Sequence, residues 1–406
     1  MLQSQDTEVT MPHALATPSD LMNHDIYIDT FFENASPMGW EQIQPGVIAL
    51  HPIQDHQRFS PNMQISHINL KLLTDDPAKR QSVRFVIRRI SNCWNGRRQP
   101  AITHSPMSWA VSSDDQSWQN ILGQPLDDPE FAMAFDVPVT APCMHVARMV
   151  PYTPTHLQSW LATIAQSQWV DIKHIGQTVE NRPLEMVQVG DANAPHHILL
   201  RARSHPWETA GNWIMHGLVD QLLNTNDSHR HLLEKMCFWL MPMANKDGVH
   251  RGMTRFNICG MDLNRNWDRP ADEQLAPENA ALEYWIEHHL QSGKPINLAM
   301  CLHNDSGGQL HPGLTNKPDY AYKMKRLEDL LRRHTWFTEG SQPPGCGGAD
   351  VFSGGLIERY GIDTIVAEYN AERIAKFNRP PLHWDWITYG RKLVAVLCDY
   401  FELSQP

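Results

Sequence analysis

The stretch Leu199–Leu218, LLRARSHPWETAGNWIMHGL, decides how this chain is read. It opens on an apolar, strand-like run and passes through Ser204, His205, Pro206, Trp207 and Glu208. It then continues through Ile214, Met215, Leu218, Val219 and Leu222, spaced as the apolar face of a helix. A histidine and a glutamate three apart thus fall where a strand hands over to a helix. In open α/β sheets, ligand crevices lie at the carboxyl ends of the strands.

Working outward, HHILLRAR, CFWLMPM, INLAMCLH and GIDTIVAEY read as further buried strands. Helical patterns cover about 209–223, 277–291, 319–334 and 384–402. This alternation predicts an α/β region over residues 151–406: a mixed, mostly parallel sheet with helices on both faces. Upstream the period changes to two. Val83, Phe85 and Ile87 alternate in SVRFVIRRI, as do Phe131, Met133, Phe135 and Val137 in FAMAFDV, and Ile68, Leu70 and Leu72 in ISHINLKLL. Residues 26–150 therefore read as a small antiparallel β-sandwich domain. Residues 1–25 read as a flexible polar leader with neither the basic start nor the apolar core of a secretory signal.

A chain of 406 residues suits two domains. Its formal net charge of −11 argues against a nucleic-acid partner. No run approaches the roughly 18 apolar residues of a membrane span. The seven cysteines are scattered with no CxxC pair, which suits reduced thiols and a cytoplasmic location. The sequence carries no signature of an oligomeric state.

The chemistry clusters at predicted strand ends. His205 and Glu208 follow ILLRAR, His303 ends INLAMCLH, and Glu368 lies within TIVAEYN. Between them TRFNICGMDLNRNWD carries Arg255, Asp262, Asn264 and Arg265. A catalytic zinc takes three ligands from His and Asp/Glu and leaves a fourth position for water. His205, Glu208 and His303 could supply such a set for one zinc per chain. The run PPGCGGAD reads as a loop, since it lacks the GK[ST] of a phosphate cradle.

The stretches HPWETAGNW, PMANKDGV, TRFNICGMDLNRNW, LAMCLHNDSGG and IVAEYN resemble, in this order, the motifs of carboxypeptidase A-like zinc metallocarboxypeptidases. The β-type region followed by ARMVPYTPTHLQSWL is similar to their cytosolic carboxypeptidase branch. The likeness is close over about 140–400 and loose before that. It implies that His205, Glu208 and His303 bind zinc and that Glu368 is the general base. It also implies that Arg255 stabilises the oxyanion, that Asn264 and Arg265 hold the substrate's free carboxylate, and that Asp262 orients the first histidine.

These roles suit the residue types. A carboxylate moves protons between water and leaving amine. A fixed cation meets a developing oxyanion, and arginine grips a carboxylate bidentately. The implied activity is hydrolysis of the last peptide bond of peptides or protein C-terminal tails. The alternatives are a zinc-dependent N-acyl amino acid amidohydrolase and a non-catalytic binder of C-terminal tails, a binder having no need of Glu368.

The chain departs from the pattern in three ways. No tyrosine lies between Tyr322 and Tyr360, where the family carries one in a mobile loop. No Lys or Arg lies from His334 to Glu358, where members that trim acidic tails place a basic residue. A neutral last residue is therefore expected, unless Arg251 or Arg359 reaches the pocket. NKDG also stands in place of NPDG.

Overall fold

The computed structural model describes residues 25–88, 90–101, 107–127, 132–223 and 227–403. The leader expected at 1–25 lies outside these apart from Asp25, as does Phe131.

The N-terminal region holds thirteen described strands: β1 (Ile26–Asp29), β2 (Met38–Gln44), β3 (Val47–Pro52), β4 (Asp55–His56), β5 (Met63–Gln64), β6 (Asn69–Thr74), β7 (Ser82–Ile87), β8 (Ser91–Trp94), β9 (Arg97–Pro100), β10 (Met107–Ser112), β11 (Gln119–Pro125), β12 (Met133–Pro138) and β13 (Cys143–Ala147). Nine form one sheet in the order β1-β6-β13-β10-β11-β12-β7-β3-β2. Its alternating residues, among them Ile28, Leu50, Leu70, Leu72, Phe85, Trp109, Phe135 and Val146, meet in a single core. The period of two was a sound guide to that face: Val83, Phe85 and Ile87 are wholly buried. Two features depart from the expected antiparallel sandwich. β3 pairs parallel to β7. The short strands β4, β5, β8 and β9 form a separate four-stranded sheet.

The second region is built on a seven-stranded sheet. Its strands are β14 (Val170–Gln177), β15 (Pro183–Val189), β16 (His196–Ala202), β17 (Met236–Met241), β18 (Leu298–Asp305), β19 (Leu310–Pro312) and β20 (Thr364–Asn370), in the order β14-β15-β17-β16-β18-β20-β19. The four central strands are parallel to one another. The outer strands pair antiparallel: β14 and β15 beside β17 on one side, β19 beside β20 on the other. All of β17 is buried, as a strand covered on both faces should be.

The helices are α1 (Pro154–Ile164), α2 (Ala210–Leu223), α3 (Asp227–Lys235), α4 (Lys246–His250), α5 (Pro277–Gln291), α6 (Tyr320–His334), α7 (Phe352–Tyr360) and α8 (His383–Tyr400). One face of the sheet, with Ile198, Leu200 and Leu302, packs on α1, α2, α6 and α8. The other, with Leu199, Cys301 and Val366, packs on α5 and α7. No helix among the described residues is long and apolar enough to cross a membrane.

The two regions are closely docked. Thr254 Oγ1 accepts the N–H groups of Ser66 and His67 at 3.0 and 3.1 Å. Asn34 donates from Nδ2 to the Val249 carbonyl at 2.7 Å. His67 Nε2 donates to the Asn34 carbonyl at 2.9 Å, and burial pushes the His67 pKa down to about 4. Arg58 N–H donates to the Gly260 carbonyl at 2.7 Å. Glycine is needed at two of these contacts. Gly252 and Gly260 have φ of +66° and +77°, and a Cβ would run into the Ala35 carbonyl or, at 2.8 Å, the Arg58 nitrogen.

Candidate active site

The carboxyl ends of β16, β18 and β20 meet on the α5/α7 side of the sheet. His303 and Glu368 are register partners on the adjacent parallel strands β18 and β20, so they stand side by side. Between β16 and α2 the chain turns sharply and brings His205 and Glu208 in over them. Glu208 bridges the two histidines, with His205 Nδ1 and His303 Nδ1 each 2.7 Å from one of its oxygens. The two Nδ1 atoms are 3.3 Å apart.

The outer nitrogens of both rings are engaged. His205 Nε2 lies 3.2 Å from Asp262 Oδ1, and His303 Nε2 lies 3.0 Å from Cys301 Sγ. With the ring protons on Nε2, both Nδ1 lone pairs and a carboxylate converge within 4.8 Å of one another. Two imidazoles and one carboxylate, each imidazole braced by an outer acceptor, form a donor set suited to zinc. Burial raises the Glu208 pKa, but His205 and His303 outweigh this and hold it at about 2.

Asp262 ties the metal ligands to the rest of the site. Its Oδ2 accepts from Arg255 Nε at 2.9 Å and pairs with Nη2 at 2.8 Å. Its Oδ1 takes the Asn264 N–H at 2.9 Å as well as His205. Burial raises its pKa, yet Arg255 and His205 hold it well below the usual range. Asn264 Oδ1 accepts the Phe352 N–H at the start of α7. The Arg265 guanidinium donates from Nη1 to the Asn264 carbonyl at 2.9 Å and keeps a loose ion pair to Asp350 at 3.9 Å. Beneath this loop Arg201 is fully buried. It lies 5.0 and 5.3 Å from the Trp267 and Phe352 ring centroids and bonds the Leu263 carbonyl and Asn279.

Glu368 borders the cleft, but its Oε2 is enclosed without a hydrogen-bond partner. Burial raises its pKa well above the carboxylate range. Asp305 and Glu208 add to this, against His303 and Arg255.

The cleft encloses about 420 Å³. Of the residues singled out in sequence, His205, Glu208, Arg255, Asn264, Arg265 and Glu368 line it, while His303 and Asp262 lie behind it. One wall is small and neutral, with Pro312, Gly313, Val351, Ser353 and Val366, and residues 345–348 of the glycine-rich loop border it. None of the described lining residues is a tyrosine. Neither distant arginine reaches the cleft: Arg251 pairs with Glu180 and Arg359 with Glu283. Arg148 does reach it, from the N-terminal region. There it is buried against Glu372 and donates to the Ser108 carbonyl at 2.8 Å. The run from His334 to Glu358 gave no sign of Arg148, because it enters from elsewhere in the chain. Gln64, Ser66 and Asn92 also line the cleft from the N-terminal side.

Residues 157–326 match the zinc carboxypeptidase family profile. The chain is 31% identical to an uncharacterized protein of Zymomonas mobilis over 62% of this chain and 66% of that one. It is 32% identical to cytosolic carboxypeptidase 6 of Caenorhabditis elegans over 41% of this chain and 40% of that one. It therefore spans less than two thirds of either relative. The fold resembles the crystal structure of a metallo-carboxypeptidase from Burkholderia cenocepacia, with a TM-score of 0.79 at 18% identity, covering 93% of this chain and 99% of that one.

Proposed function

This chain carries a zinc carboxypeptidase domain, and from that premise we propose that it removes the last residue from peptides or protein tails that end in a free carboxylate. The observation that carries this reading is the enclosed, unpartnered Oε2 of Glu368 beside His303, at the edge of a cleft that also holds Arg255 and Arg265. A zinc ion held by His205, Glu208 and His303 supplies, when bound, a Lewis acid for the scissile carbonyl and the attacking water.

The remaining steps fall to side chains. Arg265, steadied by its bond to the Asn264 carbonyl and only loosely paired with Asp350, takes the terminal carboxylate, and the Asn264 side chain fixes the loop against α7. Glu368 takes a proton from the attacking water and passes it to the leaving amine as the C–N bond breaks. Arg255, locked to Asp262, presents its remaining N–H groups to the oxygen that gains charge.

We further propose that the last residue is neutral. The small uncharged wall supports this, as does the neutralisation of Arg148 by Glu372. The cytoplasm is the proposed location. The name of the C. elegans relative supports it, as do cysteines that are all free.

The test is one peptide made as free acid and as amide. Amidation removes the charge that the Arg265 guanidinium would pair with, a loss of about 2–5 kcal/mol, or roughly 30-fold to several thousandfold in kcat/KM. Arg265→Ala should lose activity on the acid and most of the preference for it. Equal cleavage of both forms by the wild type would overturn the reading.

A further inference from the structure

Two of the three arginines that line the cleft, Arg255 and Arg265, lie against one aromatic ring that belongs to the N-terminal region. The guanidinium carbon of Arg255 is 5.2 Å from the Trp94 ring centroid, and that of Arg265 is 5.9 Å from it. Both distances fall within the roughly 6 Å at which a cation is held by a ring face. We propose that Trp94 is a positioning residue of the active site, setting the guanidinium of Arg255 and that of Arg265 in their working places. This rests on the roles proposed above for those two arginines.

The local structure fits a residue meant to stay put. Trp94 is the last residue of β8, and the next two, Asn95 and Gly96, have φ of +50° and +73°. An Asn-Gly pair with positive φ at both positions is the preferred two-residue connection between paired strands. It leads directly into β9, whose Arg97 is the register partner of Trp94. The Asn95 N–H is tied to Asn62 Oδ1 at 2.6 Å.

The same sheet grips the backbone from which Arg255 grows. On β4, Asp55 Oδ2 accepts the N–H groups of Arg255 and Phe256 at 2.7 and 2.9 Å. Gln64 of β5 and Asn92 of β8 line the cleft. The four-stranded sheet thus fixes one arginine by backbone and side chain, and the other by side chain alone. Apart from the ring, Arg265 is held by its Nη1 bond to the neighbouring Asn264 carbonyl at 2.9 Å and by a 3.9 Å ion pair with Asp350, neither of which fixes the outer face of the guanidinium.

The two arginines are assigned to different stages, Arg265 to substrate binding and Arg255 to the transition state. Loosening Trp94 should therefore move KM and kcat together and lower the preference for acid over amide. General destabilisation would change the amount of active enzyme and leave that preference alone.

The experiment compares wild type with Trp94→Phe and Trp94→Leu on the acid and amide forms of one peptide, with zinc content measured on each. Two weak cation–ring contacts correspond to about a five- to thirtyfold loss of kcat/KM on the acid for Trp94→Leu. Trp94→Phe should stay within about threefold, because it keeps a ring face. Replacing Trp94 alone by mono-, di- and trifluorotryptophan keeps the shape and drains the ring face, so activity should fall stepwise in protein that folds normally. A flat fluorination series, or Trp94→Leu equal to wild type in kcat, KM and acid preference, would overturn the role of Trp94. A wild type that does not prefer the acid would overturn the underlying reading instead.

Discussion

Asp262→Asn is the most informative single change. It keeps the size of the side chain and removes its charge. The Asp262 carboxylate is fully enclosed and serves four donors: His205 and the Asn264 N–H on one oxygen, two nitrogens of Arg255 on the other. An amide has only one accepting oxygen. With its NH₂ toward Arg255, it sets donor against donor and strands a guanidinium that is 15% exposed. Breaking a buried ion pair costs about 3–5 kcal/mol, and the partial exposure puts this case near about 3 kcal/mol. With its NH₂ toward His205, it forces the ring proton onto Nδ1, the atom aimed at Glu208. Loss of the orienting partner of a ligand lowers metal affinity by about 10- to 100-fold. Zinc affinity, measured by chelator competition, and urea unfolding should therefore both weaken. In the double variant Asp262→Asn/Arg255→Leu the stranded charge is gone, so stability should partly recover while zinc affinity stays low. A zinc Kd within about twofold of wild type and an unfolding free energy from urea titration within about 0.5 kcal/mol of wild type would refute the reasoning.

Glu368→Gln should retain zinc and its melting temperature but lose about 10²- to 10⁴-fold in kcat; turnover within about threefold of wild type excludes Glu368 as the base. A peptide library read by mass spectrometry should show neutral last residues preferred, and rapid trimming of a polyglutamate tail would contradict this. Acid should destabilise the protein through His67, whose ring bonds the Asn34 carbonyl within the N-terminal region. Its pKa of about 4 lies below the 6.5 of an unfolded histidine, so the unfolded state takes the proton first. This contribution is complete above about pH 6.5 and falls by about 2 kcal/mol at pH 5. Urea titrations of His67→Gln should show a shallower loss, and an unchanged slope would remove His67 as the cause.

The catalytic sheet was legible because its central strands are buried on both faces and read as apolar runs interrupted only by what the chemistry needs. His303 and Glu368 stood out for that reason. β14 was not legible, since its eight residues include none that is fully buried. α7 was hidden by Gly354 and Gly355, poor helix formers. Gly355 is there because Trp267 packs where its Cβ would be. The four-stranded sheet escaped notice because its strands are two to four residues long, and β9 reads Arg-Arg-Gln-Pro with no apolar face. Asp55, Trp94 and Arg148 carry no signal along the chain: Asp55 meets its partner 200 positions away and Arg148 meets its own 224 away. The eight residues proposed for the site drew attention through their resemblance to a family's ordered motifs, since type and spacing alone are weak for a His-x-x-Glu pair. The residues that hold or flank them announce themselves only by proximity.

The separation between Asp55 and the N–H groups it holds also has a meaning in time. The ribosome reaches Arg255 about 200 residues after Asp55, which at roughly 5–20 residues per second is about 10–40 s later. By then every strand of the N-terminal core has long been made. The arginine loop thus emerges onto a finished template and takes its working shape only by landing on it. His303 and Glu368 follow later still, so the last two members of the proposed site are added to an arginine loop that already has its template.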